Sequence, residues 1–186
     1  MEPKPETGGP GRPARQAAGT RPAETGRPQL TAPDDKPLPP SKVLVVDDNA
    51  QNRELLCAYM EELPNVTTIP AANGMDALAK VAEDQPDLIL LDIMMPKMSG
   101  FVVCRHLKSD PQTRDIQIMM VTALNELGDH ERAAECGTDE FLSKPVNRVE
   151  LITRVKSLLR VRHLKQELQR TLDTMDKKSS RTPSKP

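Results

Sequence analysis

The sequence predicts an α/β fold: a five-stranded parallel sheet, doubly wound, with helices on both faces. Three observations predict it. Five short apolar runs alternate with segments of helical periodicity between residues 41 and 160. Most of these runs do not alternate polar with apolar residues, which is the pattern of strands buried on both faces. Each run also gives way to polar residues: Asp47-Asp48 after the first, Asp92 after the third, Thr122 after the fourth and Lys144 after the fifth.

The elements follow in order. Residues 1–40 hold 10 of the 18 prolines and almost no large apolar side chains. Such a segment cannot bury enough surface to offset its conformational entropy, so it is expected to be a disordered tail. Pro37-Leu38-Pro39-Pro40 would favour extended polyproline geometry, and a Pro-rich ligand for a partner is the alternative to a bland tether. Residues 43–46 form the first strand, and Leu55, Leu56, Tyr59, Met60 and Leu63 give the first helix its apolar face. Residues 66–69 form the second strand. Asn73-Gly74 opens the second helix, with Leu78, Val81 and Ala82 inward. Residues 88–91 form the third strand. Ser99-Gly100 opens the third helix, with Phe101, Cys104 and Leu107 inward. Residues 116–121 form the fourth strand. The fourth helical segment, about 126–136, has only Leu127, Ala133 and Ala134 to bury, with Gly137 at its C-terminal cap. A short fifth strand lies around Phe141-Leu142. The fifth helix begins at Asn147, with Glu150 three residues on as in a capping box, and turns Leu151, Val155 and Leu158 toward the sheet.

Composition excludes several classes. No apolar run approaches the ~18–20 residues that a membrane-spanning helix needs, and the N-terminus lacks the apolar stretch of a secretory signal. Cys57, Cys104 and Cys136 are odd in number and widely spaced, without a Cys-x-x-Cys pair. They read as small buried hydrophobes in a reducing cytoplasm, not as a disulfide scaffold or zinc site. The only aromatics are Tyr59, Phe101 and Phe141, too few for base stacking, so nucleic acid is not an expected partner. His106, His130 and His163 have no companions at metal-ligand spacing and read as surface residues.

In open parallel sheets, ligands bind beyond the carboxyl ends of the strands. If the first and third strands are neighbours, Asp47, Asp48 and Asp92 converge there. Like charges at close range need a cation. A hard divalent ion such as Mg²⁺ suits oxygen ligands. Adding the ammonium of Lys144 and the hydroxyl of Thr122 gives a set suited to phosphoryl transfer, with a carboxylate as nucleophile.

Four stretches then carry a resemblance. They are Val43-Leu44-Val45-Val46-Asp47-Asp48-Asn49, the run from Leu90-Leu91-Asp92 through Met98-Ser99-Gly100, Val121-Thr122-Ala123, and the run from Gly137-Thr138-Asp139 through Ser143-Lys144-Pro145. Intervals of 44, 30 and 22 residues link Asp48, Asp92, Thr122 and Lys144. In motif order and interval, residues 41–160 resemble the receiver domain of bacterial two-component response regulators. The resemblance implies a flavodoxin-like fold with strand order 2-1-3-4-5.

It further implies that Asp92 is the phosphoacceptor, serving a histidine kinase or a histidine phosphotransfer protein. Asp48 is then a direct Mg²⁺ (or Mn²⁺) ligand and Asp47 a second, often through water, with Asp92 and the backbone carbonyl of Met94 completing the protein ligands. Thr122 would bond a phosphoryl oxygen and Lys144 would pair with the phosphoryl group. The Lys144-Pro145 bond matches the family's cis peptide. Phe141 falls at the position of a rotamer switch coupled to Thr122. Met94 and Leu124 are apolar where a polar group would orient hydrolytic water, so slow self-hydrolysis is expected. A phosphatase with an Asp nucleophile would want an acid at position 94, which Met94 cannot supply.

Past the domain the apolar spacing continues through Val161, Leu164, Leu168, Leu172 and Met175, close to a coiled-coil seam. Residues 161–176 are therefore expected to be a helical extension, and residues 177–186 a basic disordered tail. The extension would pair two copies into a homodimer or dock on a partner, because apolar residues at seam spacing need burial; a solvated extension without a role is the alternative. Residues 160–186 carry a net +5, but no DNA-binding motif accompanies them. The reading is a single-domain, cytoplasmic response regulator that catalyses only its own phosphorylation and slow dephosphorylation, and switches an interaction surface for a downstream protein. A phosphorelay intermediate and a phosphorylation-independent scaffold using the basic helix are the alternatives.

Overall fold

The computed structural model of the chain describes residues 37–123 and 135–179. The tail through residue 36, the fourth helical segment with Leu124, Leu127, His130, Ala133 and Ala134, and the stretch from residue 180 lie outside the described residues. The elements run β1 (Ser41–Val46), α1 (Ala50–Glu61), β2 (Val66–Ala71), α2 (Gly74–Asp84), β3 (Leu88–Leu91), α3 (Gly100–Ser109), β4 (Gln117–Thr122), β5 (Glu140–Ser143) and α4 (Arg148–Ser179). The fifth helix of the sequence reading is thus α4 of the described structure.

All five strands are parallel, in the order β2-β1-β3-β4-β5 expected from the sequence. The uninterrupted apolar runs of β3 and β4 are wholly buried, because helices cover both faces of the central sheet. β2 lies at an edge, which accommodates its Pro70, since an edge strand can lose one donor.

Side chains on a strand alternate between faces, and they divide the core into two layers. Leu44, Val46, Ile89, Leu91, Ile118 and Met120 face α2 and α3, where Ala77, Val81, Val103, Cys104 and Leu107 close the layer. Val43, Val45, Leu88, Leu90, Met119 and Val121 face the other way, against Leu56 and Met60 of α1 and Leu151, Val155 and Leu159 of α4.

Side chains cap the helices as their sequences suggest. Asn49 Oδ1 accepts from the backbone N–H groups of Gln51 and Asn52, and Asn73 Oδ1 from that of Asp76. Asn147 Oδ1 accepts from Glu150 N–H, but the Glu150 carboxylate turns to Arg154. Half of the expected capping box therefore forms, because a charged partner one turn on competes for the carboxylate.

Several details differ from the sequence reading. Residues 37–40, expected to belong to the tail, are described, and Leu38 is buried in the layer with α1 and α4. Cys57, expected to be buried, is half-buried. Leu55 and Ala82 are exposed. Each stands next to a core residue, about 100° around the helix, so only Leu56 and Val81 of those adjacent pairs point inward. Leu159 takes the fully buried position after Leu151 and Val155, keeping an i, i+4 row, while Leu158 is half-buried at its margin. His163 is not a free surface residue. It is half-buried, with its Nε2 2.8 Å from Ser41 Oγ. Finally, α4 continues to Ser179, past the expected boundary at 176, for no Gly or Pro interrupts it before Pro183. No described helix is long and apolar enough to cross a membrane.

Candidate functional site

Parallel strands deliver their terminal residues to one rim, and β1 and β3 are adjacent. Asp47 follows β1 and Asp92 follows β3, and Asp92 N–H donates to Val46 O at 2.9 Å. One carboxylate oxygen from each of Asp47, Asp48 and Asp92 lies within 4.8 Å of the others. Asp47 and Asp92 are buried, whereas Asp48 is exposed. Two unscreened carboxylates side by side repel unless a cation stands between them.

Lys144 supplies that charge. It follows β5, two strands from Asp92, and its backbone N–H donates to Thr122 O at 2.8 Å. Its Nζ reaches Asp47 Oδ2 at 2.7 Å and Asp92 Oδ2 at 2.9 Å. Burial works against the ammonium, yet the hydrogen bonds to the two carboxylates outweigh it and hold its pKa above the ordinary value. The Lys144–Pro145 peptide is cis.

Thr122 is fully buried at the end of β4, and its hydroxyl has no hydrogen-bond partner among the described residues. A buried hydroxyl without a partner is costly and rare in folded chains. Phe141, on neighbouring β5, is half-buried and packs against the layer under α2 and α3. Met94 donates its backbone N–H to Asp92 Oδ1 at 3.2 Å and exposes its side chain.

The structure therefore brings Asp47, Asp48, Asp92, Thr122 and Lys144 to one rim, with Met94 beside it and Phe141 on the adjoining strand. Leu124 lies outside the described residues. All-oxygen donors, three carboxylates against one ammonium, and an exposed Asp48 on the solvent side are the donor set a hard divalent cation takes. The residues present fit Mg²⁺.

Three supporting positions escaped the sequence reading. Arg53 Nη1 donates to Asp47 O at 2.7 Å, and Asn52 Nδ2 lies 3.5 Å from Asp47 Oδ1. Both sit on the first turn of α1, three and four residues past its Asn49 cap, and that spacing was the available signal. Gly100 was read only as a helix opener. A Cβ there would stand 2.3 Å from the carbonyl oxygen of Asp92, so only glycine lets α3 begin against the phosphoacceptor candidate's own backbone.

Comparison with known proteins agrees with this geometry. The family described as "Response regulator receiver domain" matches residues 43–156. The chain is 47% identical over 129 residues to response regulator PleD of Caulobacter vibrioides, covering 69% of this chain and 28% of that protein. It is 36% identical over 119 residues to the DNA-binding dual master transcriptional regulator RpaA of a Synechocystis strain, covering 64% of this chain and 49% of that one. These matches span half or less of the relatives' own length. Among solved structures, the signal receiver domain of a signal transduction histidine kinase from Syntrophus aciditrophicus superposes with a TM-score of 0.60 at 37% identity, covering 64% of this chain and 89% of that one.

Proposed function

The chain belongs to the response regulator receiver domain family of two-component signalling, and from that premise we propose that Asp92 accepts a phosphoryl group and thereby switches a protein-interaction surface. The observation that carries the reading is the Lys144 ammonium held between Asp47 and Asp92. Receiver domains are signalling phosphoacceptors served by histidine kinases or phosphotransfer proteins, and this chain would act as one within residues 41–160.

The chemistry follows from the residues. An Asp92 carboxylate oxygen attacks phosphorus, and the bond to the donor histidine or small acyl phosphate breaks as the acyl phosphate forms. Lys144 then offsets charge on a phosphoryl oxygen, and the Thr122 hydroxyl donates to another, satisfying a group that lacks a partner. Movement of Thr122 would leave room for Phe141 to turn inward. Asp47, Asp48, Asp92 and the backbone carbonyl of Met94 would hold Mg²⁺ (or Mn²⁺), which when bound supplies positive charge to the transferring oxygens. With Met94 and Leu124 both apolar, the acyl phosphate would be long-lived; a lifetime of seconds in the isolated protein would count against that part of the reading.

Intact-mass analysis after incubation with a small acyl phosphate tests the proposal. A gain of one phosphoryl mass that needs Mg²⁺ and disappears in Asp92→Asn is the expected result. An equal gain in Asp92→Asn would overturn the assignment. Passage of the phosphoryl group on to a histidine phosphotransfer protein would identify a relay intermediate instead of a terminal regulator.

The extension of α4 supports a partner surface, because Val161, Leu164, Leu168, Leu172 and Met175 are all exposed. Apolar side chains at seam spacing favour a second helix, and a second copy of the chain is the proposed occupant. Sedimentation of the full chain and of residues 1–160, with and without phosphorylation, is expected to show a dimer only when the extension is present. Monomers throughout would remove it.

A further inference from the structure

Cys104 and Cys136 are 32 residues apart in sequence and belong to different segments, Cys104 to α3 and Cys136 to the approach to β5. The fold brings them together. The Cys104 thiol donates to the backbone carbonyl oxygen of Cys136 at 3.3 Å, which sets the two cysteines side by side. Both are buried, in the layer under α2 and α3. Cys57, the third cysteine, is half-buried on α1, which packs on the opposite face of the sheet. The pair takes no part in phosphoryl transfer.

We propose that Cys104 and Cys136 form a redox modification site, closing to a reversible disulfide when a hydroperoxide oxidises the folded chain. Two features of the surroundings support it. The neighbouring Cys104 side chain favours the thiolate at Cys136 and, against the opposing effect of burial, brings its pKa down to about 7. The backbone at Thr138 and the charge of Arg105 act in the same direction. The same contact, together with burial, pushes the Cys104 thiol up. Cys136 is itself buried but lies one residue from the surface on either side: Glu135 and Gly137 are exposed, and Gly137 adopts the left-handed φ of +83° that makes a turn there.

The chemistry balances. The Cys136 thiolate attacks one peroxide oxygen, the O–O bond breaks, and the departing oxygen leaves as water after taking a proton, which gives a sulfenic acid. The Cys104 sulfur attacks that sulfur; the S–S bond forms, the S–O bond breaks, and a second water carries off the Cys104 proton. Two thiols and one hydroperoxide thus give one disulfide and two molecules of water when hydrogen peroxide is the oxidant. The bond would tie α3 to the start of β5, the strand that carries Phe141.

The test uses the folded full chain treated with hydrogen peroxide at neutral pH, followed by alkylation, thiol titration and tryptic mapping. Titratable thiols are expected to fall from three to one, since the chain has three free cysteines. The peptides of residues 98–105 and 133–148 should be recovered joined, and a dithiol reductant should restore all three thiols. Cys104→Ser should instead leave a sulfenic acid at Cys136 that dimedone captures. Cys57→Ser should oxidise like the wild type, and it keeps the test open if a core substitution fails to fold. Retention of all three thiols in the folded chain, joining through Cys57, or a link that appears only in denaturant would overturn the proposal.

Discussion

Leu159 and Leu168 stand nine residues apart on one uninterrupted helix, yet Leu159 is fully buried and Leu168 is 60% exposed. At about 100° per residue, Leu168 stands half a turn around the helix from Leu159, so the apolar stripe changes face between them. Up to Gln166 the helix lies against its own chain: Leu151, Val155 and Leu159 enter the core, His163 meets Ser41, and Arg162 and Gln166 approach Asp87. On the opposite face, Val161, Leu164, Leu168, Leu172 and Met175 are exposed at the same kind of spacing. Periodicity identifies an apolar face; the fold decides whether the chain itself or another molecule covers it.

Four substitutions sharpen or break this contrast. Leu159→Ala should cost about 3 kcal/mol of stability in urea unfolding, the usual penalty for emptying a leucine site in a packed core. A loss as small as that of an exposed residue would mean that the docked half is not docked. Asp87→Ala should cost about 1–2 kcal/mol, because Asp87 accepts from Lys42 N–H and Gln166 and faces the buried Nε of Arg162, which has no hydrogen-bond partner among the described residues. Ser41→Ala removes only the contact to His163 and a bond to Pro39 O, so about 0.5–1 kcal/mol is expected. Leu168→Ala should change monomer stability by less than about 0.5 kcal/mol. Its effect should appear in sedimentation, as weaker self-association. A large stability loss with unchanged association would reverse the roles assigned to the two halves.

The sheet and the side-chain cluster at its rim were legible because both rest on local rules. A buried parallel strand leaves an unbroken apolar run, and the residue after it must surface, so Asp47, Asp92, Thr122 and Lys144 could be found from the runs alone. Their order and intervals then carried the resemblance. Less legible was anything that depends on the angle at which elements meet. Leu158 and Leu159 are equally apolar, and only the crossing of α4 over the sheet selects Leu159. His163 looks solitary in sequence because its partner, Ser41, is 122 residues away. Cys104 and Cys136 read as isolated hydrophobes for the same reason: their contact is made by the packing of α3 beside β5's approach, and no sequence spacing records it.

The length of α4 has a mechanical consequence. Thirteen residues separate Gln166 from Ser179, about 20 Å at the helical rise of ~1.5 Å per residue. A rod of that length, clamped at one end, is a pointer. A tilt of about 10° in the clamped half sweeps the tip through roughly 3–4 Å, taking the arm length from the same helical rise. The clamp rests on the sheet's amino end, at Ser41 and Asp87, while the carboxylate cluster occupies its carboxyl end. A displacement too small to matter at either end of the sheet would be magnified at the tip, into the range that separates a matched side-chain seam from a mismatched one.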